Sequence, residues 1–351
     1  MNGRRRRKTI TRSTRADVGK DLRRLVEAAE QGRLPVGRAP TFGEWLDIYL
    51  REVASLRVRP STLARYRQEV RLYIKPGLGR HRLDRLKPAQ LSAFYREQGK
   101  RLAPGSVRRL HALIRRSLTI AVRWGLLASN PAVLVEPPSL SHHEIQPYSA
   151  EEARKFLDAV RGDRLEARWI LAIALGLRQG EALGVRWEDV DLENGVLHIR
   201  RALQRQGDGS LALVDPKTAK SRRAVPLPPQ LVDALRQRAI FQQQEEGRAP
   251  IWQNSLGLAF TTSVGTPIHP RNDQRSFRSI ISRAGLRRIR LHDLRHTTAT
   301  LLLAEGVSAR VVMEILGHSQ IGVTLNTYSH VATDLARAAT TRIEEALWNS
   351  I

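Results

Sequence analysis

Hydrophobic positions recur at three and four along most of this chain, which predicts a mainly helical protein. Leu22, Leu25, Val26 and Ala29 mark a short helix over 17–31, with Asp17 to start it and Gly32 to stop it. Thr41, followed three residues later by Glu44, has the capping-box pattern. Ser61 opens a second helix that runs to about Tyr73, and Lys75-Pro76-Gly77-Leu78-Gly79 predicts a turn. A third helix starts at Lys87-Pro88 and runs to about Gln98, and Pro104-Gly105-Ser106 opens a fourth.

Prolines 137, 138 and 147 mark a linker, after which Ser149-Ala150-Glu151-Glu152 caps a new helical run to about residue 185. The period then changes. Val196–Ile199 and Leu211–Val214 read as strands flanking a turn with Gly207-Asp208-Gly209, and Arg223 to Leu227 as a third strand. The fold class expected is mainly α with a small antiparallel β-sheet, in several domains. These are a basic arm and short helix (1–38), a helical domain (41–135), a linker (136–148) and a C-terminal domain (149–345) with a tail helix.

Charge changes the picture. The 351 residues hold 59 Lys and Arg against 34 Asp and Glu, a net charge of +25. A polyanionic partner is expected, and nucleic acid is the default. With 41% hydrophobic residues, a chain disordered throughout is disfavoured. There is no Cys, which excludes disulfides, thiol catalysis and Cys-ligated zinc. No stretch of 18 apolar residues predicts a membrane span, and no apolar core follows the basic N-terminus as in a signal peptide. A cytoplasmic, nucleoid-associated protein is the expectation.

The excess charge is concentrated. Residues 1–15 hold seven basic groups (Arg4, Arg5, Arg6, Arg7, Lys8, Arg12, Arg15) and no acid, the composition of an arm along phosphates. Residues 41–135 hold 19 basic and 6 acidic residues. In the fourth helix, Val107, Leu110, Ile114, Leu118, Ala121 and Val122 form one apolar face. Arg108, Arg109, Arg115, Arg116 and Arg123 fall opposite, with no acidic residue inside 106–124. Arg suits phosphate through its planar donor fork. Such contacts would position the protein on DNA without reading sequence.

Six residues of the C-terminal domain could act together: Arg178, Lys217, His292, Arg295, His318 and Tyr328. Singly each has an ordinary reading: an ion pair of Arg178 with Glu181, a solvated turn lysine, polar helix surface, a core or turn histidine, a packing aromatic. His292 and His296 also stand at i and i+4, like two zinc ligands. The second position, however, is Asp293 rather than Glu, and no third ligand is evident. As a set they suit attack on a phosphodiester. Arg forks neutralise the nonbridging oxygens where charge develops. A phenol serves as nucleophile once cations or a base help it ionise, and Lys or His protonates the leaving alkoxide. Side chains supply the charge, so no cofactor is expected. Tyr328 is the only Tyr beyond Tyr148, and Lys217 and Lys220 are the only Lys beyond Lys155.

The order Arg178, Lys217, His292-x-x-Arg295, His318, Tyr328 resembles the tyrosine recombinase (phage integrase) family. So do the flanking strings Gly-Leu-Arg-x-Gly-Glu, His-Asp-Leu-Arg-His, Leu-Gly-His-Ser and Thr-Tyr-Ser-His, and the spacings of 23 from Arg295 to His318 and 10 from His318 to Tyr328. The resemblance covers about residues 145–345. The 41–135 region is similar to the family's core-binding domain, through Ile74-x-Pro-x-Leu-Gly79 and Asn130-Pro131.

The resemblance implies a site-specific recombinase, an integrase of a phage or integrative element, that works through a 3′-phosphotyrosyl intermediate without ATP. Tyr328 would attack, Arg178 and Arg295 would hold the nonbridging oxygens, and Lys217 would protonate the 5′-hydroxyl, with Lys220 as the other candidate. His292 would assist as acid/base, His318 would hydrogen-bond the phosphate, and Glu181 resembles the supporting carboxylate. It also implies double-stranded attachment-site DNA as partner, a homotetramer on two duplexes, and a directionality factor and DNA-bending protein as candidate accessories. Residues 3–31 resemble only the last strand and helix of an arm-binding module, so the module is reduced to a basic arm or the start lies upstream. The amphipathic segment from Asp334 through Trp348 resembles a tail that docks on a neighbouring protomer, with docking in cis as the alternative. Two competing readings remain: a catalytically silent DNA-binding protein on the same fold, and a type IB topoisomerase-like relaxing enzyme.

Overall fold

Capping and helical spacing set most of the element boundaries. A computed structural model describes residues 39–140, 146–215 and 222–317, with Thr14, Val18 and Gly19. The basic arm, most of the 17–31 helix, Lys217, Lys220, His318, Tyr328 and the tail lie outside the described residues. The chain divides into two units, residues 1–142 and 143–351. Among the described residues no helix is long and apolar enough to cross a membrane.

In the first unit, α1 (Phe42–Ile48) starts at the expected capping box. Thr41 Oγ1 accepts from the Glu44 N–H, and Glu44 accepts from the Thr41 N–H at 2.7 Å. The helical path continues through a π-helical stretch, Tyr49–Ala54, into Ser55–Arg57. Helix α2 (Pro60–Glu69) likewise runs into a π-helical stretch, Val70–Ile74.

The turn expected at 75–79 is not one: Lys75–Leu78 is a further helical turn. In the wider π turn the Lys75 N–H bonds to the Val70 carbonyl, five residues back. That re-routing admits Pro76, which has no N–H to give.

Helices α3 (Pro88–Gly99) and α4 (Pro104–Arg123) follow, close to where proline and spacing put them. Of the apolar face expected on α4, Val107, Leu110, Ile114, Leu118 and Ala121 are at most 1% exposed, while Val122 is half-buried at its edge. That face packs on Trp45, whose Nε1 donates to the Ser117 carbonyl at 3.2 Å. Asn130 ties the chain after α4 back onto it, through Nδ2 to the Arg115 carbonyl and Thr119 Oγ1, both at 2.9 Å.

In the second unit, helices α5 (Ala150–Val160), α6 (Glu166–Ala174) and α7 (Gln179–Leu183) lead to a β section. Its strands are β1 (Val190–Asp191), β2 (Val196–Ile199), β3 (Ala202–Arg205), β4 (Leu211–Val214) and β5 (Arg223–Pro226). The expected hairpin of Val196–Ile199 with Leu211–Val214 does not form. A strand the sequence reading passed over, β3, pairs with β4 around the Gly207-Asp208-Gly209 turn. Strand β2 instead lies between β1 and β5, with Ile199 opposite Arg223.

The reason is close packing of α7 on β3. Gly180 and Gly184, one helical turn apart, face the Leu203 backbone. A Cβ on either would lie 2.9 Å or less from it.

Helices α8 (Pro229–Arg248), α9 (Pro270–Arg283), α10 (Asp293–Ala304) and α11 (Ala309–Leu316) follow among the described residues. One core gathers Leu171, Leu183, Leu197, Val225 and Phe260 between helices and sheet, and a second gathers Phe156, Trp169, Phe277 and Leu294 between α5, α6, α9 and α10. Beside the second, buried Arg168 is held bidentately by Asp273, both bonds at 2.7 Å.

Candidate active site

Helix α6 ends at Ala174, and Gly176 reverses the chain in the left-handed region, φ 60°. A Cβ there would lie 2.4 Å from the Leu316 side chain, so only glycine fits both the dihedral and the gap. Arg178 follows as the residue before α7, in extended conformation. Glu181, three residues on, accepts from the Arg178 N–H at 3.2 Å and from Arg178 Nη1 at 2.6 Å. Arg178 Nη2 reaches the Gly317 carbonyl at 3.0 Å. The neighbouring Gln179 is fixed by Asp273 and by the Pro270 carbonyl, at 2.7 and 2.8 Å.

Arg295 comes to the same place from α10. Its side chain is buried, and Nη1 donates to the Gly176 carbonyl at 2.8 Å. Thr298, one turn later, donates to the Ile173 carbonyl at 2.7 Å, so α10 grips the end of α6 at two points.

Glu181 shows the electrostatic consequence. Burial alone would raise its pKa, but the positive charges of Arg223, Arg178 and Arg295 outweigh burial and hold it below the usual carboxylate range. His292, just before α10, is shifted down, first by desolvation and then by Arg295. Its neutral form is therefore favoured. A neutral imidazole beside two guanidiniums can take or share a proton, while the guanidiniums can bind phosphate oxygens.

The structure thus brings together Arg178, Glu181, His292 and Arg295. Lys217, His318 and Tyr328 lie outside the described residues. Gly317, the residue before His318, is held directly by Arg178. The His292 and His296 rings meet edge to face at 5.4 Å, while Asp293 turns away to bind Arg290 at 2.8 Å. Among the described residues no group of three or more His, Cys, Asp or Glu could hold a metal ion.

Sequence reasoning missed Arg223. Strand alternation puts Arg223 on the same face of β5 as buried Val225, but it does not say which groups the side chain meets there.

In the first unit, Arg108, Arg109, Arg115, Arg116 and Arg123 are all exposed on α4. Four of them and Arg57 line a concave basin of about 1170 Å³ with one acid, Glu136. Arg109 is the exception: it turns instead to Glu69, 3.7 Å away.

The phage integrase family model matches residues 148–334, and the model of the phage integrase N-terminal SAM-like domain matches residues 41–97. The chain belongs to the phage integrase family. A tyrosine recombinase XerC-like protein of Caldanaerobacter subterraneus subsp. tengcongensis is 33% identical over 312 residues, 83% of this chain and 79% of that protein. An integrase of Saccharopolyspora erythraea is 28% identical, over 98% of this chain and 91% of its own. Among solved structures, the Tn1549 transposon integrase in complex with a circular intermediate DNA shares the fold, at TM-score 0.73 and 20% identity over 87% of this chain and all of that one. The lambda integrase tetramer bound to a Holliday junction does so at TM-score 0.61 and 16% identity, over 91% of this chain and 88% of that one. This phage integrase family member is a site-specific tyrosine recombinase, an enzyme of DNA strand breakage and rejoining.

Proposed function

We propose that this recombinase integrates or excises a mobile element, with Tyr328 as nucleophile. The Tyr328 oxygen attacks the scissile phosphorus, an O–P bond to the phenol forms, and the bond to the 5′ oxygen breaks. Lys217 gives that oxygen its proton, and the DNA 3′ end stays on the tyrosine. Attack by a new 5′-hydroxyl reverses every step, so bond energy is conserved. Arg178 and Arg295 hold the nonbridging oxygens, His292 assists proton transfer on the nucleophile side, and His318 hydrogen-bonds the phosphate.

One observation carries this reading: two guanidiniums more than a hundred residues apart are fixed against one glycine-turned loop and share the field of one buried carboxylate.

Residues 41–135 bind the duplex through the α4 arginines, residues 149–345 carry the chemistry, and 136–148 link them. Arg4 to Lys8 add phosphate contacts. The working assembly is a homotetramer on two duplexes at attachment sites in the cytoplasm, and a directionality factor and a DNA-bending protein set its direction. The lambda integrase tetramer on a Holliday junction supports that assembly by analogy of fold.

The test is covalent capture. The protein is incubated with sheared genomic DNA of its source organism, denatured, and the protein-bound DNA sequenced. Adducts clustered at one locus support the integrase. Scattered adducts indicate a relaxing enzyme, and binding without adducts on nicked DNA indicates a silent DNA-binding protein.

A further inference from the structure

We propose that Arg223 is a positioning residue for the recombination reaction, which holds Arg178 in place and leaves its charge available to a phosphate. The inference rests on the reading of Arg178 as a phosphate ligand.

Arg223 opens β5, and its side chain is only 8% exposed. A buried cation is costly unless paired and hydrogen-bonded. Arg223 meets both conditions with partners that belong to the site. Nη2 lies 3.2 Å from Glu181 Oε2, and Nε donates to the Ile315 carbonyl at 2.7 Å.

Glu181 is therefore shared. Its Oε1 takes the Arg178 guanidinium, and its Oε2 takes the Arg223 guanidinium beside the Arg178 backbone N–H. With Arg178 alone on it, the buried carboxylate would cancel that arginine's charge and leave only Arg295 to the phosphate. With Arg223 on the other oxygen, the three groups carry a net positive charge. The accessible member is Arg178, whose side chain is 38% exposed against 8% for Arg223.

The second effect is mechanical. The last carbonyls of a helix have no intrahelical partner. At the end of α11, Arg223 takes that of Ile315 and Arg178 takes that of Gly317. The Arg223 guanidinium also covers Gly317 so closely that a Cβ there would lie 2.6 Å from Nη1. Strand β5, helix α7 and the end of α11 are thus locked through one carboxylate. His318 is the next residue in the chain.

The experiment compares wild type, Arg223→Gln, Arg223→Lys, Arg178→Lys and the Arg178→Lys/Arg223→Gln double variant. Each is mixed in excess with sheared genomic DNA of the source organism. Covalent adduct rate, DNA binding and thermal midpoint are read side by side. Arg223→Gln is expected to lower the adduct rate by about tenfold to a hundredfold while DNA binding stays within roughly twofold. Arg223→Lys restores part of the rate, because it keeps a charge for Glu181 but cannot also hold Ile315. In the Arg178→Lys background, Arg223→Gln costs less than about threefold, since it acts through Arg178.

A wild-type rate in folded Arg223→Gln overturns the inference, and so does a full additive loss in the Arg178→Lys background. If Arg223→Gln does not fold, Arg223→Lys decides: a wild-type rate at a wild-type thermal midpoint overturns it. A wild-type protein that forms no adduct overturns the functional reading underneath. Adducts formed equally fast by wild type and Arg223 variants overturn this inference alone.

Discussion

Arg295 donates a 2.8 Å hydrogen bond to the carbonyl of Gly176, 119 residues earlier in the chain. This bond carries the second guanidinium to the loop that presents the first. It also gives a partner to a guanidinium that is buried in the first turn of α10. Arg295→Lys should lower the adduct rate by about a hundredfold or more, because an ammonium cannot bond the carbonyl and fork onto a phosphate. Arg295→Ala should lose cleavage while most DNA affinity remains. Gel-shift affinity and single-turnover adduct formation measured together check both. A large loss of affinity with unaltered cleavage per bound complex contradicts the assignment.

Gly317 ends α11 in the left-handed conformation, φ 67° and ψ 46°. Gly317→Ala should cost about 1–2 kcal/mol from the dihedral alone, and more because the new methyl meets Arg223. The expected outcome is a lower thermal midpoint together with slower adduct formation. A variant as stable and as fast as wild type would show that the two arginines do not fix this turn.

The α4 arginines are expected to act on affinity rather than chemistry. Arg115→Ala and Arg116→Ala should each weaken DNA binding. Each should also reduce the slope of log affinity against log salt by about 0.9, one phosphate contact's worth. Cleavage per bound complex should be unchanged. A salt titration with an unaltered slope removes these residues from the DNA interface.

His296 gives the free protein a pH signature. Desolvation first, and then the neighbouring His292, push its pKa down to about 4, against 6.5 for an ordinary histidine. Between those values the unfolded chain takes up a proton that the native state refuses. Its contribution to stability therefore falls as pH drops from about 6.5 to about 4 and levels off below. Denaturant midpoints at pH 7 and pH 5 should differ more for wild type than for His296→Asn. An equal difference would mean that His296 titrates normally.

Much of this was legible in the sequence because the relevant signals are local. Thr41 with Glu44, and Ser149 with Glu152, make the capping boxes their spacing implies. The α4 faces divide as the three-and-four pattern says. The spacing of Arg178 to Glu181 likewise gave their ion pair. What was not legible depended on tertiary partners. Pro76 enters a helix because a π turn upstream changes which carbonyl is served. Strand β3 was missed because its pairing is secured by the close approach of Gly180 and Gly184 from α7. Arg223 was missed as a functional residue because its partners, Glu181 and Ile315, lie 42 and 92 residues away.

The measurement that tests the account most directly is the chemical identity of the protein–DNA linkage. Adducts formed with EDTA present are digested with nuclease and protease, and the peptides are weighed by mass spectrometry. The account predicts one modified peptide, carrying a nucleotide through its 3′ phosphate on Tyr328, and none from Tyr328→Phe. A nucleotide on any other residue, or an undiminished adduct from Tyr328→Phe, would contradict it.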